Sequence, residues 1–281
     1  MIPSFCIVPY FYFLNTRLKG IFQKVSWLCV YFVPLLWLFL SFSHPVDGAS
    51  VIVFLLGVVI LNYVYENGYI ENDVKTIRLE KEPTLRLESA VLTRMGERYA
   101  VIVAIRWGIL AVLLAAYLYM VCTNAFLRRP LGLVAEVIIL QGCYSLYNRI
   151  RGRGNLWFIP IMAFVRFYGA LVPFVDNSDL MLFVCLGMFL YPIPKVMEFL
   201  RRKRYGFDRI GAWIGNIDYF RVKYYLAYSL TLTGAYLLTR NHVYKIYLIA
   251  GIYYLVFRAA GLLALRQRKI GAEFNDNFGR E

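Results

Sequence analysis

Long apolar runs alternate with polar loops along almost the whole chain. The runs are Trp27–Phe42, Val51–Tyr65, Tyr99–Val121, Leu131–Tyr147, Leu156–Val175, Leu180–Val196, Tyr224–Leu238 and Tyr244–Leu265. A helix needs roughly 20 apolar residues to cross a bilayer, so the first and seventh runs must extend into their flanks. The aromatic stretch Met1–Leu14, broken by Pro3 and Pro9, reads as an interfacial segment, or as a ninth span if it crosses. The pattern predicts an all-α fold: a polytopic transmembrane helical bundle of eight spans, or nine, forming a single integral membrane domain over residues 1–281. Two loops are longer than the rest, at about 66–98 and 197–223. They follow the second and sixth spans, which suggests two four-helix halves related by a parallel repeat.

Composition agrees. The 281 residues are 60% hydrophobic and 17% aromatic, with a mean hydropathy of +0.57. A soluble domain is roughly 45–50% apolar, so the solvent for this surface is lipid. The net charge of +14 lies in loops between the apolar runs. That placement fits topology and anionic headgroups better than nucleic acid. One set of loops holds Arg17, Lys19, Lys24, the basic residues of 75–98, Arg149, Arg151, Arg153, the run from Arg201 to Arg204, and Arg266, Arg268 and Lys269. Arg209, Arg221 and Lys223 belong to the same set, and the other holds Arg128, Arg129, Arg240 and Lys245. The asymmetry puts both termini and both long loops in the cytoplasm, in a bacterial-type inner or plasma membrane. No cleavable signal peptide is expected, because the apolar start lacks a basic lead. The five cysteines have no CxxC spacing and read as small buried hydrophobes. With only His44 and His242 present, in loops of the outer side, a histidine metal site or a Ser–His–Asp triad is not expected.

Candidate chemistry concentrates where the second span meets water. If that helix continues past Tyr65, its polar residues sort into two stripes at about 100° per residue. One holds Asn62, Glu66 and Asp73; the other holds Asn67, Glu71 and Lys75. Each offers a carboxamide oxygen and a carboxylate four residues on. Hard oxygens of this kind suit Mg²⁺, which is commonly shared between one or two carboxylates and substrate phosphates. A helix end with solvated charges reads from the same residues. Within the spans, Arg106, Glu136, Arg166 and Arg258 must pair or face the bundle interior, because facing lipid is costly. A Glu136–Arg166 ion pair is one expectation. A cavity wall in which Arg166 contacts an anionic lipid head is the other.

The stretch 62–87 resembles the first aspartate-rich motif of UbiA-type intramembrane prenyltransferases. That motif, Asn-Asp-x-x-Asp-x-x-x-Asp, ends the second span and precedes a basic segment. Asn67 matches the family's Asn and Glu71 its second acid, and Lys81-Glu-Pro83-Thr-Leu-Arg86-Leu stands near the basic segment. Gly68 stands at the first acid and Lys75 at the third, with Asp73 close by. After the sixth span, where the family has a second acidic motif, this chain has Glu198 and Asp208. The resemblance implies a helical bundle with a cavity open to the membrane and the cytoplasm. It also implies Mg²⁺, held by Glu66, Asn67, Glu71, Asp73, Glu198 and Asp208, bridging the phosphate of an isoprenoid lipid. Asn67, Glu71, Asp73 and Lys75 would be catalytic, and Arg78, Arg149, Arg166 and Lys195 would bind substrate. The implied activity is transfer of a prenyl, polyprenyl or phosphoribosyl-type group. A transporter for a lipid-linked or anionic substrate would instead centre on Arg166 and Glu136. A non-catalytic scaffold would tolerate alanine at Glu66, Asn67, Glu71 and Asp73.

Overall fold

The structure, a computed structural model, describes residues 3–44, 46–79, 85–123, 129, 131–150, 152–202 and 205–266. These residues form helices and connecting turns, with no strand among them. The chain divides into two compact units, Met1–Val184 and Cys185–Glu281. The division falls inside one helix, α9, and not between the expected fourth and fifth spans.

The first unit opens with a 3-10 turn, Ser4–Cys6, and a short helix α1, Phe11–Thr16. Six helical residues rise about 9 Å, far short of a bilayer, so this segment is not a ninth span. Its side chains point inward instead: Cys6, Tyr12, Phe13 and Thr16 are buried. Helix α2 (Ile21–Trp27) runs through a π-turn, Leu28–Phe32, into α3 (Val33–Phe42). Pro34 offers no N–H to the Val30 carbonyl, and the widened turn lies where that bond would be.

Helix α4, Gly48–Glu71, is the axis of this unit. Asp47 caps it, its carboxylate accepting the Ser50 amide at 2.7 Å. That bond holds the exposed Asp47 carboxyl below its ordinary range. The helix continues through a π-turn, Asn72–Thr76, and a 3-10 turn, Ile77–Leu79. Around it pack α6 (Tyr99–Thr123), α7 (Gly132–Arg149), α8 (Phe158–Tyr168) and the 3-10 turn Gly169–Phe174 that follows α8. A shorter helix, α5 (Ser89–Glu97), precedes α6. Phe54 of α4 stacks on Phe39 of α3, with centroids 4.3 Å apart. That contact lies in the half of α4 that precedes Asn62.

Helix α9, Asn177–Leu190, leads into the second unit, where Pro192 starts α10 (Pro192–Leu200) at a position that needs no amide donor. Helix α11 (Asp208–Ile214) precedes the hairpin of α12 (Ile217–Thr239) and α13 (His242–Arg266).

Among the described residues, six helical stretches are long and apolar enough to cross a membrane: Ile21–Phe42, Gly48–Thr76, Tyr99–Thr123, Arg153–Phe174, Asn177–Leu200 and His242–Ala264. The expected eight spans include two more, α7 and α12. Glu136, Gln141, Asn148 and Arg149 lower the hydropathy of α7, and the Tyr and Thr residues of α12 lower that of the second.

Candidate functional site

The two polar stripes of α4 meet different neighbours. The first faces the N-terminal segment and α8. Asn62 donates to the Tyr31 hydroxyl at 2.9 Å and accepts the Arg166 Nε–H at 3.0 Å. The Tyr31 hydroxyl donates to the Arg166 carbonyl at 2.7 Å. The Arg166 guanidinium lies 4.1 Å from the Tyr65 ring centroid and 5.1 Å from that of Phe13. Glu66 accepts the Phe13 amide at 2.8 Å and the Tyr10 amide at 3.2 Å. Those amides begin α1, so a carboxylate from another helix performs the capping that a local side chain ordinarily supplies. Tyr10 reaches it with a left-handed backbone, φ 68°. Asp73 accepts the Tyr12 hydroxyl at 2.7 Å and Arg17 Nη2 at 2.9 and 3.0 Å. Arg86 stands 3.7 Å from the same carboxylate.

The second stripe faces α6 and α7. Asn67 Oδ1 accepts Arg106 Nε–H, and Asn67 Nδ2 reaches Gln141 at 3.5 Å. Glu71 Oε1 accepts the Ser145 hydroxyl at 3.2 Å and lies 4.0 Å from Arg149, which is largely exposed. Its Oε2 accepts no hydrogen bond among the described residues. Lys75 sits 4.0 Å above the Tyr99 ring. Between these residues the α4 backbone is bare at Gly68, where an added Cβ would come within 2.2 Å of the Tyr144 ring. Asn148 donates to the Gly68 carbonyl at 2.9 Å.

Arg106 ties both stripes to the N-terminus. It is 1% exposed and donates to the carbonyls of Cys6 and Tyr63, each at 2.8 Å, and to Glu66 at 3.3 Å. Its guanidinium lies 3.8 Å from the Tyr63 ring centroid. A membrane-embedded guanidinium needs this many acceptors to offset its lost hydration.

Burial, and then Asp73, push the Tyr12 hydroxyl well above its ordinary range. Burial works against the Arg17 charge, but Asp73 together with the Tyr69, Tyr144 and Tyr12 hydroxyls outweighs it and holds the guanidinium above its ordinary value. Burial pushes the Cys6 thiol up to about 12, with Arg106 opposing. The site is thus assembled with Tyr12 and Cys6 neutral and Arg17 charged.

The other expected residues belong to other elements. Arg78 is on the 3-10 turn after α4. Lys195 and Glu198 belong to the second unit, where Glu198 is paired with Lys195 at 3.0 Å and with Arg221 at 2.7 Å. Asp208 is the exposed first residue of α11. Glu136 has one oxygen, Oε2, shielded and without a hydrogen-bond partner. The middle of the expected basic segment, residues 80–84, lies outside the described residues.

In the sequence Arg17 reads only as a topological charge and Arg86 as part of the stretch near the family's basic segment, while Tyr12, Ser145 and Asn148 carry no functional signal. The partners of Arg17, Tyr12, Ser145 and Asn148 are 56 or more residues away in sequence, so no local spacing marks them.

No protein-family model matches the chain, and no curated protein or solved structure matches it. The site is therefore read from its own chemistry. Among the described residues no group of three or more His, Cys, Asp or Glu side chains is placed to hold a metal. Glu66, Asn67 and Asp73 already accept from protein donors. They do not fit an all-protein Mg²⁺ cage; the open protein oxygen is Glu71 Oε2.

Proposed function

We propose that this chain is an integral membrane transferase acting on the phosphate or diphosphate of a prenyl or polyprenyl lipid, at the end of α4 that carries Glu71 and Asp73. One observation carries the reading: Arg17 spends Nη2 on Asp73, while its Nε–H is buried and has no acceptor. A buried guanidinium with an unused donor is short of an anion. Arg86 approaches the same carboxylate, and Arg149 stands over Glu71. Three guanidinium groups therefore face two carboxylates, and the excess charge favours a phosphate entering between them.

The chemistry follows from that imbalance. Arg17 and Arg86 would hold the departing phosphate and stabilise the charge that develops on it as the ester bond breaks. Glu71, with Oε2 open, would take a proton from the acceptor. Where the substrate is a diphosphate carrying Mg²⁺, the open Glu71 oxygen would instead help to hold the ion, which would neutralise charge on the leaving group, and the acceptor's proton would pass to solvent. The topology completing this reading takes α7 and α12 as two further crossings, eight in all, with both termini cytoplasmic in a bacterial-type inner membrane.

A second reading, a permease for an anionic or lipid-linked substrate, draws on Glu136. Its unpartnered oxygen lies within the first unit, near the turn at Gly169.

The deciding experiment measures binding and turnover of geranylgeranyl diphosphate and of a long-chain polyprenyl phosphate by purified protein in detergent, with and without Mg²⁺. Arg17→Gln and Glu71→Gln should each lower activity at least tenfold, while Arg94→Gln on exposed α5 should not. Equal behaviour of all three variants, or no binding of any isoprenoid phosphate, overturns the transferase. Uptake assays on Glu136→Gln would then test the permease.

A further inference from the structure

Helices α12 and α13 pack antiparallel in a fixed register. Tyr228 lies against Gly251, where an added Cβ would come within 2.8 Å of the ring. One turn further, Tyr225 stacks on Tyr254 with centroids 4.9 Å apart. Each step back along α12 is matched by an equal step forward along α13. The next turn therefore sets Arg221 level with Arg258, at the end of the hairpin away from its connecting turn.

Arg221 is fully engaged. It donates to Glu198 at 2.8 Å and to Asp218 at 3.0 Å, and Lys195 takes the other oxygen of Glu198 at 3.0 Å. These two acids and two cations balance. Arg258 is left over. Its Nε–H is shielded from solvent and finds no acceptor, and no described carboxylate is within ion-pair distance. Its ring neighbour is Phe257, 5.7 Å away. It also acts electrostatically on Tyr225 and Tyr254. Gly261, one turn on, has nothing within 4 Å of where its Cβ would be, so the helix surface there is open.

An unpaired cation in an apolar spanning helix is costly and needs an anion. From the register and the unused donor we infer that Arg258 anchors a second anion site, taking the phosphate group of a membrane lipid in the fork of its guanidinium. Arg258 lies eight residues, or about 12 Å, inside the end of α13, within reach of a headgroup for a side chain that extends toward the interface. The site does not depend on the transferase reading, because its residues all lie in the second unit.

The test is binding by the detergent-solubilised full chain of short-chain phosphatidic acid, of diacylglycerol with the same chains, and of inorganic phosphate. Phosphatidic acid should bind, diacylglycerol should not, and Arg258→Gln should weaken phosphatidic acid at least tenfold. Equal binding of the phosphate-free lipid, or no loss in Arg258→Gln, overturns the site. Inorganic phosphate binding as well as phosphatidic acid, with the same dependence on Arg258, keeps the anion site and overturns the lipid as its source. If Arg258→Gln does not fold, Arg258→Lys keeps the charge but loses the fork. Its affinity must then fall, and an unchanged affinity sinks the proposal.

Discussion

Gly68 stands where the resemblance to the prenyltransferases would place an acid, and the Tyr144 ring occupies the space that acid would need. Gly68→Ala should therefore cost about 1–3 kcal/mol through overpacking, and Gly68→Asp more, read as a fall in thermal unfolding temperature. Pairing either change with Tyr144→Ala should recover part of the loss. A Gly68→Asp variant as stable as the wild type would show that Tyr144 yields. Arg106 is the second test at this scale. Replacing it with Met leaves Glu66 buried without its cation and should cost about 3–5 kcal/mol. The double variant Arg106→Met, Glu66→Gln should be more stable than the sum of the single changes predicts, because it removes the orphaned charge as well. Strict additivity would mean that the 3.3 Å approach contributes nothing.

The N-terminal element is held by polar contacts to α4 and α6, with Cys6 beneath it at 0% exposure. The thiol is pushed up to about 12, so alkylation at pH 8 should be at least about a hundredfold slower than in the unfolded chain. A raised thiol stabilises the fold fully below its ordinary value of roughly 8.5. That contribution is lost as pH climbs from there toward the folded value. Tyr12, raised likewise, keeps its bond to Asp73 throughout the neutral range. Removing both donors to Asp73, in Tyr12→Phe with Arg17→Gln, should loosen the segment and speed Cys6 labelling at least tenfold. Unchanged labelling would mean that Glu66 and Arg106 alone hold it. The two stripes of α4 were legible because a 3.6-residue period sorts Asn62, Glu66 and Asp73 from Asn67, Glu71 and Lys75 in any continuous helix. What each stripe meets was not legible. An aromatic segment with two prolines reads as interfacial, and nothing local shows that its amides will be capped by a carboxylate 53 or 56 residues on.

At the scale of the whole chain, the helical character and most of the spanning runs were visible in hydropathy alone, whereas α7 and α12 carry too many polar groups for length and composition to settle their place. Eight crossings predict that cysteines introduced at Ser89 and Asn216 label from one side of the membrane, and those at Asp176 and Asn241 from the other. Labelling of Asn216 and Asn241 from the same side would mean that α12 does not cross. The capping of α1 by Glu66 also has a consequence for synthesis. The first 17 residues leave the ribosome before any of their partners exist, and the Cys6 carbonyl waits 100 residues for Arg106. At roughly 5–20 residues per second that delay is on the order of 5–20 s. During this interval the Cys6 carbonyl lacks its Arg106 donor, and the contacts that tie the segment to α6 cannot form.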